Sequence, residues 1–560
     1  MRAVRAVFIG AAALLTFPFA GCSSGGGGGG DDGVATSPTP MDDGGSGGSS
    51  PPLSAGDPQW RAGEYPPADD FKDRCAAPRS GVDSEGNVFP DQPGSLRDEQ
   101  FWLRSWTHET YLFNDEVIDR DPADFPSAAA YFDVLKTEET FRPGKPKDEF
   151  HFSQPTADYL DSRNAVASIG YGAAITVVRP TPPREIRITA TQERAPTAFV
   201  PGAQLVAVDG IDLVHGITTE AERRTALAAL YPRAAGEVHH FHLRVPGEAA
   251  LRTVTAQAIP VKGGAVDDLQ TFATTEGRTG YIRIGTFGTY QAERDIFDAM
   301  STLEAADIEE LILDLRYNTG GILAIASQLS YMIAGTSRTR DKVFEGFRFN
   351  DDAGELNPTT GDPNTPFPFY DTGLGFSLTA TTALPTLNNL DRVVILTSGE
   401  TCSASESVLN GLRGIDFPIV VIGGGTCGKP FGFFPTDNCG TTYFTLQFEG
   451  INDKGQGGYI DGFIPADSPA PYGERLPGCA IEAAPSDPIG EAGDPLYDAA
   501  LTYIETGSCP ATPTSPLASA MAAGPQRSGA VATRAAIGLP LIPDRGISAG
   551  RARDVVRPAK

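Results

Sequence analysis

Histidine is scarce in this sequence and is confined to its first half. The 560 residues contain six histidines, which are His108, His151, His215, His239, His240 and His242. A nucleophile of the histidine-activated kind needs an imidazole as its base. Such a site in the second half would therefore need a histidine from another part of the chain.

Positive charge is also in deficit. The chain has 44 lysines and arginines against 71 aspartates and glutamates, and its formal net charge is -27. Nucleic-acid binding needs lysine and arginine concentrated on one surface, so we exclude a nucleic-acid partner. The length is sufficient for about three domains of roughly 150 residues each.

The apolar run near the N-terminus is too short to span a membrane. It covers residues 7–20, follows Arg2 and Arg5, and ends at Gly21-Cys22, whereas a bilayer about 30 Å thick needs about 20 apolar residues. This is the pattern of an export signal. Ala20-Gly21-Cys22 resembles the lipobox of bacterial lipoproteins, although Phe19 stands where that motif usually has leucine. The resemblance implies a signal peptide over residues 1–21 and a lipid on Cys22; an ordinary secretory signal is the alternative.

Two segments lack the apolar residues that folding requires. Residues 22–58 are mostly Gly, Ser, Asp, Thr and Pro, and the tail, residues 510–560, is rich in Ala, Gly, Pro and Ser. Both compositions predict disorder. With the lipid anchor, they lead us to expect a folded body tethered to a membrane of the bacterial cell envelope, on its periplasmic or cell-surface side.

Six cysteines follow Cys22, and in an exported protein an even number indicates disulfides. Short loops favour the pairs Cys427–Cys439 and Cys479–Cys509. Zinc is the alternative, but the sequence has no CxxC motif and no histidine near these cysteines. We therefore expect no metal and no cofactor.

Three folded segments are predicted between the tether and the tail. Residues 59–163 carry aromatic and aliphatic side chains at helical spacing, as in Phe101, Trp102 and Trp106, and predict a helical N-terminal domain or cap. Residues 164–262 contain short β-type runs. Residues 263–505 alternate apolar strands with helices, which is typical of an α/β core. The fold class is therefore multidomain α/β.

The β segment resembles a PDZ domain. A turn signal, Asp209-Gly210, follows one of its strands, and Gly170-Tyr171-Gly172 stands where that family has its glycine-rich loop. The resemblance implies that this loop binds the carboxylate of a peptide while a strand edge pairs with its backbone. A structural β domain without a ligand is the alternative.

Three polar or glycine-rich turns follow apolar strands in the α/β segment. Gly320-Gly321 follows the strand pattern of residues 311–315, Ser403 follows that of 393–397, and Lys429 follows that of 419–423. Ligands of such cores bind at the carboxyl ends of the strands, so we expect all three turns at one edge. Residues 349–389, rich in Pro, Gly and Asn, predict an excursion from the core.

Residues 313–321 (LDLRYNTGG), 403–406 (SASE) and Gly428-Lys429 together resemble the C-terminal-processing, or tail-specific, serine peptidases. The resemblance implies a crotonase/ClpP-like core, Ser403 as nucleophile and Lys429 as its base. It also implies an oxyanion hole formed by the backbone N–H of Ala404 and one at Gly320 or Gly321. The implied substrates are peptides or C-terminal regions of proteins.

Two positions depart from that family. Phe433 stands where many members have glutamine, and Cys427 stands where they usually have phenylalanine. The partner that orients Lys429 is therefore unassigned, and the candidates are Thr426, Glu406 and Asp416.

The chemistry of a serine–lysine pair sets a demand on its surroundings. A lysine accepts a proton only when neutral, which near pH 7 requires lowering its ordinary pKa of about 10.4 by about three units. Burial against apolar groups acts in this direction. Phe431, Phe433 and Phe434 flank Lys429 in the sequence and could form such an apolar wall.

Each motif has an alternative interpretation. Ser403 and Glu406 match a capping box at a helix start, and residues 423–429 match GxxxxGK of a nucleotide-binding loop, although Pro430 replaces the expected serine or threonine. Cys402 is a rival nucleophile without a nearby histidine. We therefore predict a lipid-anchored endopeptidase, with a non-catalytic peptide-binding or scaffolding lipoprotein as the alternative. The sequence leaves the oligomeric state open.

Overall fold

The computed structural model describes residues 57–510, apart from 84–85, 165–166, 180–181, 192–193, 233, 263 and 485–486. All of the described residues belong to one compact unit. Their α-helices are α1 Leu96–Thr110, α2 Ala128–Phe132, α3 Thr156–Asn164, α4 Glu220–Leu230, α5 Gln291–Ala305, α6 Leu323–Ala334, α7 Thr336–Thr339, α8 Ala404–Gly414 and α9 Pro495–Thr506. Short 3-10 turns cover Ala68–Asp70, Asn114–Glu116, Pro122–Asp124 and Asp351–Ala353.

The strands of the first half are β1 Arg74–Cys75, β2 Gln92–Pro93, β3 Thr140–Arg142, β4 Lys145–Pro146, β5 Phe152–Pro155, β6 Ala167–Gly170, β7 Ala173–Arg179, β8 Glu185–Thr191, β9 Gln204–Val208, β10 Ile211–Asp212, β11 Val238–Arg244, β12 Arg252–Gln257 and β13 Ile259–Lys262. Those of the second half are β14 Val266–Thr274, β15 Gly277–Ile284, β16 Glu310–Asp314, β17 Val343–Arg348, β18 Phe367–Pro368, β19 Val393–Thr397, β20 Ile419–Gly423, β21 Phe431–Gly432, β22 Thr436–Asn438, β23 Thr441–Phe444, β24 Phe448–Ile451, β25 Phe463–Pro465, β26 Glu474–Leu476 and β27 Gly478–Ala480.

The central sheet has the order β14-β15-β16-β19-β20-β27. Strand β14 is antiparallel to β15, and the other neighbours are parallel. The apolar runs predicted at residues 393–397 and 419–423 coincide with β19 and β20, and the run at 311–315 overlaps β16. The carboxyl ends of β16, β19 and β20 are therefore neighbours, as the sequence predicts.

The middle strands of this sheet are buried on both faces. Alternate side chains of a strand point to opposite faces, and here they enter two separate cores. One core, under α5, α6 and α8, includes Leu311, Leu313, Val393, Ile395 and Val421. The other core, under α9, includes Ile312, Val394, Leu396, Val420 and Ile422. Burial on both faces explains why these strands appear in the sequence as continuous apolar runs.

The predicted excursion over residues 349–389 contains little regular structure beyond β18 and one 3-10 turn. It is fixed to the core by Glu293 of α5, which is buried and accepts the backbone N–H groups of Leu374, Ser377 and Leu378. A single buried carboxylate thus satisfies several N–H groups that a long loop would otherwise leave without partners.

A second sheet covers most of residues 164–262. Its order is β12-β11-β9-β8-β7, with β10 paired to β9, and all of its pairs are antiparallel. Together with α4 it encloses a hydrophobic core of its own. The PDZ-like interpretation of this segment stays a prediction.

The N-terminal segment is mixed rather than purely helical, since it contains α1 to α3 and the five short strands β1 to β5. Strand β5 pairs with β23 of the second half, across a distance of almost 300 residues in sequence. The disulfide Cys75–Cys439 joins the same two parts. The predicted cap is therefore attached to the core by both hydrogen bonds and a covalent bond.

The predicted pair Cys479–Cys509 is confirmed, whereas Cys427–Cys439 is wrong. Cys427 is bonded to Cys402 instead. A short separation in sequence is a weak guide to disulfide pairing, because a disulfide requires only that the two Cα atoms lie about 4.4–6.8 Å apart in space. The Cα atoms of Cys75 and Cys439 are 5.3 Å apart although 364 residues separate them in sequence.

Among the described residues, none of the helices combines the length and apolarity needed to span a bilayer. The predicted signal peptide, Cys22, nearly all of the predicted tether and residues 511–560 lie outside the described residues.

Candidate active site

Ser403 begins α8 with a backbone conformation that an ordinary helix cap does not need. Its φ and ψ are 55° and -120°, whereas the caps Ser95, Ser127 and Thr219 of other helices have φ of -132°, -154° and -121°. Positive φ in a residue other than glycine costs about 1–3 kcal/mol and concentrates at functional sites. A sharp strand-to-helix turn of this kind exposes the hydroxyl of nucleophilic serines in other folds. The capping-box interpretation alone does not explain it.

Glu406 of α8 is fully buried and binds the turns on both sides of the site. Its Oε2 accepts the backbone N–H of Ser403 at 3.0 Å and that of Lys429 at 2.8 Å. Its Oε1 accepts the Gly428 N–H at 2.8 Å and the Thr426 hydroxyl at 2.6 Å. Burial raises the pKa of this carboxyl, and the four hydrogen bonds act against that shift. All four partners are donors, which matches an acceptor-only carboxylate.

Two of the three candidate partners of Lys429 therefore lie at the site. Glu406 binds its backbone N–H directly, and Thr426 binds the same carboxylate. Asp416 does not belong there, because its largely exposed side chain pairs with Lys454. The sequence alone could not choose among these three candidates, because all of them lie close in sequence to Ser403 or Lys429.

Lys429 is buried, with 1% of its surface exposed. Its Nζ lies 4.2 Å from the ring centroid of Phe433 and 4.9 Å from that of Phe150. Phe433 is thus the member of the predicted apolar wall that reaches the amine. Phe431 packs against Phe113 and Phe141, and Phe434 packs against Phe349 and Phe448.

Phe150 is a site residue that the sequence does not reveal. It belongs to the N-terminal segment, two residues before the start of β5, and reaches Lys429 because β5 pairs with β23. No motif surrounds it, and pairing between distant strands is not visible in local patterns. The N-terminal segment therefore supplies part of the lysine's surroundings.

Of the two glycines of the first motif, Gly320 lies against the nucleophile turn and Gly321 lies against Phe287 and Gly288. Gly320 has φ +103°, and a Cβ there would lie 2.8 Å from Cβ of Ser403 and 3.0 Å from the Ala404 nitrogen. Its own N–H already donates to Asn318 Oδ1 at 2.9 Å. Within the described part of the chain the Gly321 N–H has no such partner. Of the two predicted donors, Gly321 is the one left to bind a ligand.

Asn318 connects the glycine turn to the serine turn, and its role is also invisible in the sequence. It is completely buried, and its Nδ2 donates to the Ile284 carbonyl at 2.9 Å. Its carbonyl accepts the Cys402 N–H at 3.1 Å and the Ser405 hydroxyl at 3.1 Å. These bonds place the end of β16 beside the start of α8.

A buried cluster of charged side chains lies at the carboxyl end of β16. Arg316 contacts both Asp314 and Asp494, and Tyr281 donates to Asp314 at 2.8 Å. Burial disfavours the charge on Arg316, but the two carboxylates outweigh it and raise the pKa of the guanidinium. Because Asp494 caps α9, this cluster also fixes that helix to the sheet.

His151 is the histidine nearest in sequence to the residues that contact Lys429, and it is not placed to act as a base. Its Nδ1 lies 3.0 Å from the Thr445 hydroxyl and its Nε2 lies 2.7 Å from the Phe132 carbonyl. Burial lowers its pKa to about 4, so it is neutral near pH 7 with both nitrogens engaged.

The predicted peptide-binding loop connects β6, which forms a separate two-stranded sheet with β13, to β7 of the second sheet. Gly170 ends β6 and is paired with Ile259 of β13, and Gly172 has φ +70°. The Tyr171 side chain is buried in the core of this segment and donates to the Ala229 carbonyl at 2.7 Å. Any recognition by this loop would therefore come from its backbone.

The other interpretations of these motifs are not favoured. The N–H groups of Gly428 and Lys429 bind Glu406, so they cannot cradle a phosphate, and β21 rather than a helix follows. Cys402, Glu406 and Cys427 offer ligand atoms within 4.8 Å of one another. The two sulfurs are bonded to each other, however, so neither is a thiolate ligand or nucleophile.

Ser403, with its positive φ, and the buried Lys429 lie in two turns of this α/β core that bind the same carboxylate. Strand-to-helix turns of this kind present the nucleophile in enzymes that use a serine nucleophile. Residues 278–448 match Peptidase family S41. The chain therefore contains a peptidase domain of this family, which confirms the resemblance that the motifs indicated.

Two solved structures illustrate the likeness. A Bacteroides fragilis protein described as an S41 protease is 18% identical, with a TM-score of 0.50, over 73% of this chain and 97% of that chain. The photosystem II D1 C-terminal processing protease is 16% identical, with a TM-score of 0.42, over 68% and 93%. The first likeness shows a shared fold. No curated protein matches this sequence.

Proposed function

We propose that this protein is a serine endopeptidase of the cell envelope that uses Ser403 as nucleophile and Lys429 as general base. It would cleave peptides or C-terminal regions of proteins through an acyl-enzyme. The peptidase family of the core supports the reaction class, and the assignment of roles rests on the geometry of the site.

The proposal rests on one observation, which is that Ser403 and Lys429 donate hydrogen bonds to the same acceptor. Oε2 of Glu406 binds the backbone N–H groups of both Ser403 and Lys429. This places the two turns side by side at the carboxyl ends of adjacent strands. A plain helix cap would explain neither the buried lysine nor the positive φ of the serine.

In the proposed reaction the Lys429 amine removes the proton of the Ser403 hydroxyl as its oxygen attacks the peptide carbonyl. The same nitrogen then returns the proton to the leaving amine, and water hydrolyses the ester in a second cycle. The rings of Phe433 and Phe150 lie over the amine, and the Lys429 side chain is buried from solvent.

The developing oxyanion needs donors that are already in place, typically worth about 3 kcal/mol each. Ala404 occupies the first position of α8, where a helix leaves its N–H groups without intrahelical acceptors. Gly321 supplies the second N–H in this proposal, since that of Gly320 is bound to Asn318.

The proposal also includes how the enzyme binds its substrate and where in the cell it is held. The backbone of Gly170-Tyr171-Gly172 would bind the carboxylate of a peptide end, in the manner of a PDZ domain. A lipid on Cys22 would hold the enzyme at a membrane of the bacterial envelope, on the periplasmic or cell-surface side.

A covalent serine probe tests the catalytic proposal. We expect labelling of the wild type at Ser403, with loss of labelling in Ser403→Ala and Lys429→Ala. Ser127→Ala removes an ordinary helix cap, and Lys342→Ala removes an exposed lysine, so both controls should label normally. Equal labelling of all five proteins would instead favour the non-catalytic binding lipoprotein.

A further inference from the structure

One disulfide joins the two turns of the proposed catalytic pair. Cys402 directly precedes Ser403, and Cys427 lies two residues before Lys429. Their Cα atoms are 5.2 Å apart. The other two disulfides of the described residues, Cys75–Cys439 and Cys479–Cys509, involve neither turn.

The backbones on either side of this bond are also held to each other and to the first glycine turn. The Cys427 N–H donates to the Thr401 carbonyl at 3.0 Å, and the Cys402 N–H donates to the Asn318 carbonyl at 3.1 Å. Cys427 Sγ lies 3.3 Å from Oε2 of Glu406, the atom that accepts the N–H groups of both Ser403 and Lys429. The disulfide thus lies against the shared acceptor.

The local structure needs such a constraint. The positive φ of Ser403 persists only if its surroundings determine it. Lys429 lies between β20 and β21 in a connection without a helix, so its position depends on long-range contacts. Among these, the hydrogen bonds to Glu406 depend on a carboxylate whose ionisation burial opposes. A covalent bond limits the separation of the two turns whatever the charge of that group.

We propose that the Cys402–Cys427 disulfide is a positioning element of the catalytic site, and that the peptidase is fully active only while this bond is oxidised. The proposal rests on the proposed function of Ser403 and Lys429. It gives the cysteine at position 427, which departs from the family pattern, a role in catalysis without contact with the substrate.

A dithiol reductant would break the Cys402–Cys427 bond by thiol–disulfide exchange. One thiolate of the reductant attacks a sulfur of the pair, and its second thiol resolves the mixed disulfide. Two electrons pass to the protein, which gains two cysteine thiols, while the reductant leaves as its cyclic disulfide. Cys402 is partly exposed and Cys427 is buried, so attack would begin at Cys402.

Two double variants distinguish a positioning role of this disulfide from a general contribution to stability. Cys402→Ala combined with Cys427→Ala removes this bond, and Cys479→Ala combined with Cys509→Ala removes a bond that closes a loop of similar length, 30 residues against 25. The chain-entropy contributions of the two bonds should be similar because they depend on loop length. The second variant is therefore a matched control for thermal stability.

Well below both melting temperatures, we expect the first variant to lose about 100-fold in kcat with little change in KM, as for a displacement of about 1 Å in a catalytic group. The control should keep the wild-type kcat. Circular dichroism would confirm that both variants are folded. Equal kcat values in the folded variants would overturn the proposal.

Dithiothreitol titration of the wild type provides the second measurement. Alkylation and mass spectrometry would follow each cysteine pair, and the loss of kcat should track the Cys402–Cys427 pair and reverse on reoxidation. Retained kcat after complete reduction of that pair would overturn the inference while leaving the proposed function intact. Failure of the oxidised wild type to label with the serine probe would reject the proposed function itself.

Discussion

Ser403 and Lys429 donate their backbone N–H groups to one oxygen atom, Oε2 of Glu406, at 3.0 Å and 2.8 Å. The side chain of Glu406 thus fixes the position of the nucleophile turn relative to the lysine turn, in addition to the direct contacts between the two turns. Catalysis by such a pair should therefore be sensitive to a residue that does not touch the substrate.

The first prediction concerns Glu406→Gln. The amide keeps one acceptor oxygen, but its NH2 group would face two donors, and each buried group left unsatisfied costs about 1–3 kcal/mol. We expect a lower free energy of unfolding in urea and a lower kcat. The exposed Glu355→Gln is the control and should change neither. A Glu406→Gln enzyme with wild-type kcat would refute the positioning role.

The second prediction concerns Gly320→Ala. The added Cβ would lie 2.8 Å from Cβ of Ser403, in a backbone with φ +103°. Gly361 has φ +71°, and a Cβ added there would meet no other atom within 4 Å, so Gly361→Ala imposes backbone strain without the clash. We expect loss of probe labelling in Gly320→Ala and normal labelling in Gly361→Ala. Similar labelling of both would show that the turn tolerates a side chain.

The third prediction concerns the contribution of the N-terminal segment to the site. Phe150 and Phe71 are each 8% exposed, and replacing either buried phenylalanine by alanine should cost about 3–5 kcal/mol of folding stability. Phe150 alone of the two contacts the Lys429 amine. We expect kcat to fall in Phe150→Ala and not in Phe71→Ala, at a temperature where both are folded. Equal effects would mean that Phe150 acts only through stability.

The fourth prediction concerns pH and stability. Glu345 of β17 is fully buried, and burial raises its pKa from 4.5 to about 8, while a hydrogen bond with Ser407 opposes the shift. Between these values the folded chain holds a proton that the unfolded chain has lost. The free energy of unfolding should therefore fall as pH rises from about 4.5 to about 8, by at most about 1.4 kcal/mol per pH unit from this group.

The neutral isostere provides the comparison. Glu345→Gln cannot ionise, so its stability relative to the wild type should rise with pH across this window in chemical denaturation. The Oε2 atom of Glu345 has no hydrogen-bond partner among the described residues, which makes an uncharged group the better occupant. Parallel stability curves for the two proteins would contradict the raised pKa.

The sequence predicted the elements whose cause is local. Strands β19 and β20 appear as apolar runs because both of their faces are buried, and the turns after them carry Ser403 and Lys429. The partner of Cys427 could not be found in this way. Loop length favoured Cys439, but the fold brings Cys402 closer because the serine and lysine turns end adjacent strands.

The sequence by itself therefore determined the α/β core, the edge of the sheet at which the motifs meet and the peptidase family, because these depend on periodicity and short motifs. Only the tertiary structure decided that Phe150 lies over Lys429, that Glu406 binds both turns and that Ser403 adopts a positive φ. Each of these depends on pairing between distant segments or on burial, which no local pattern encodes.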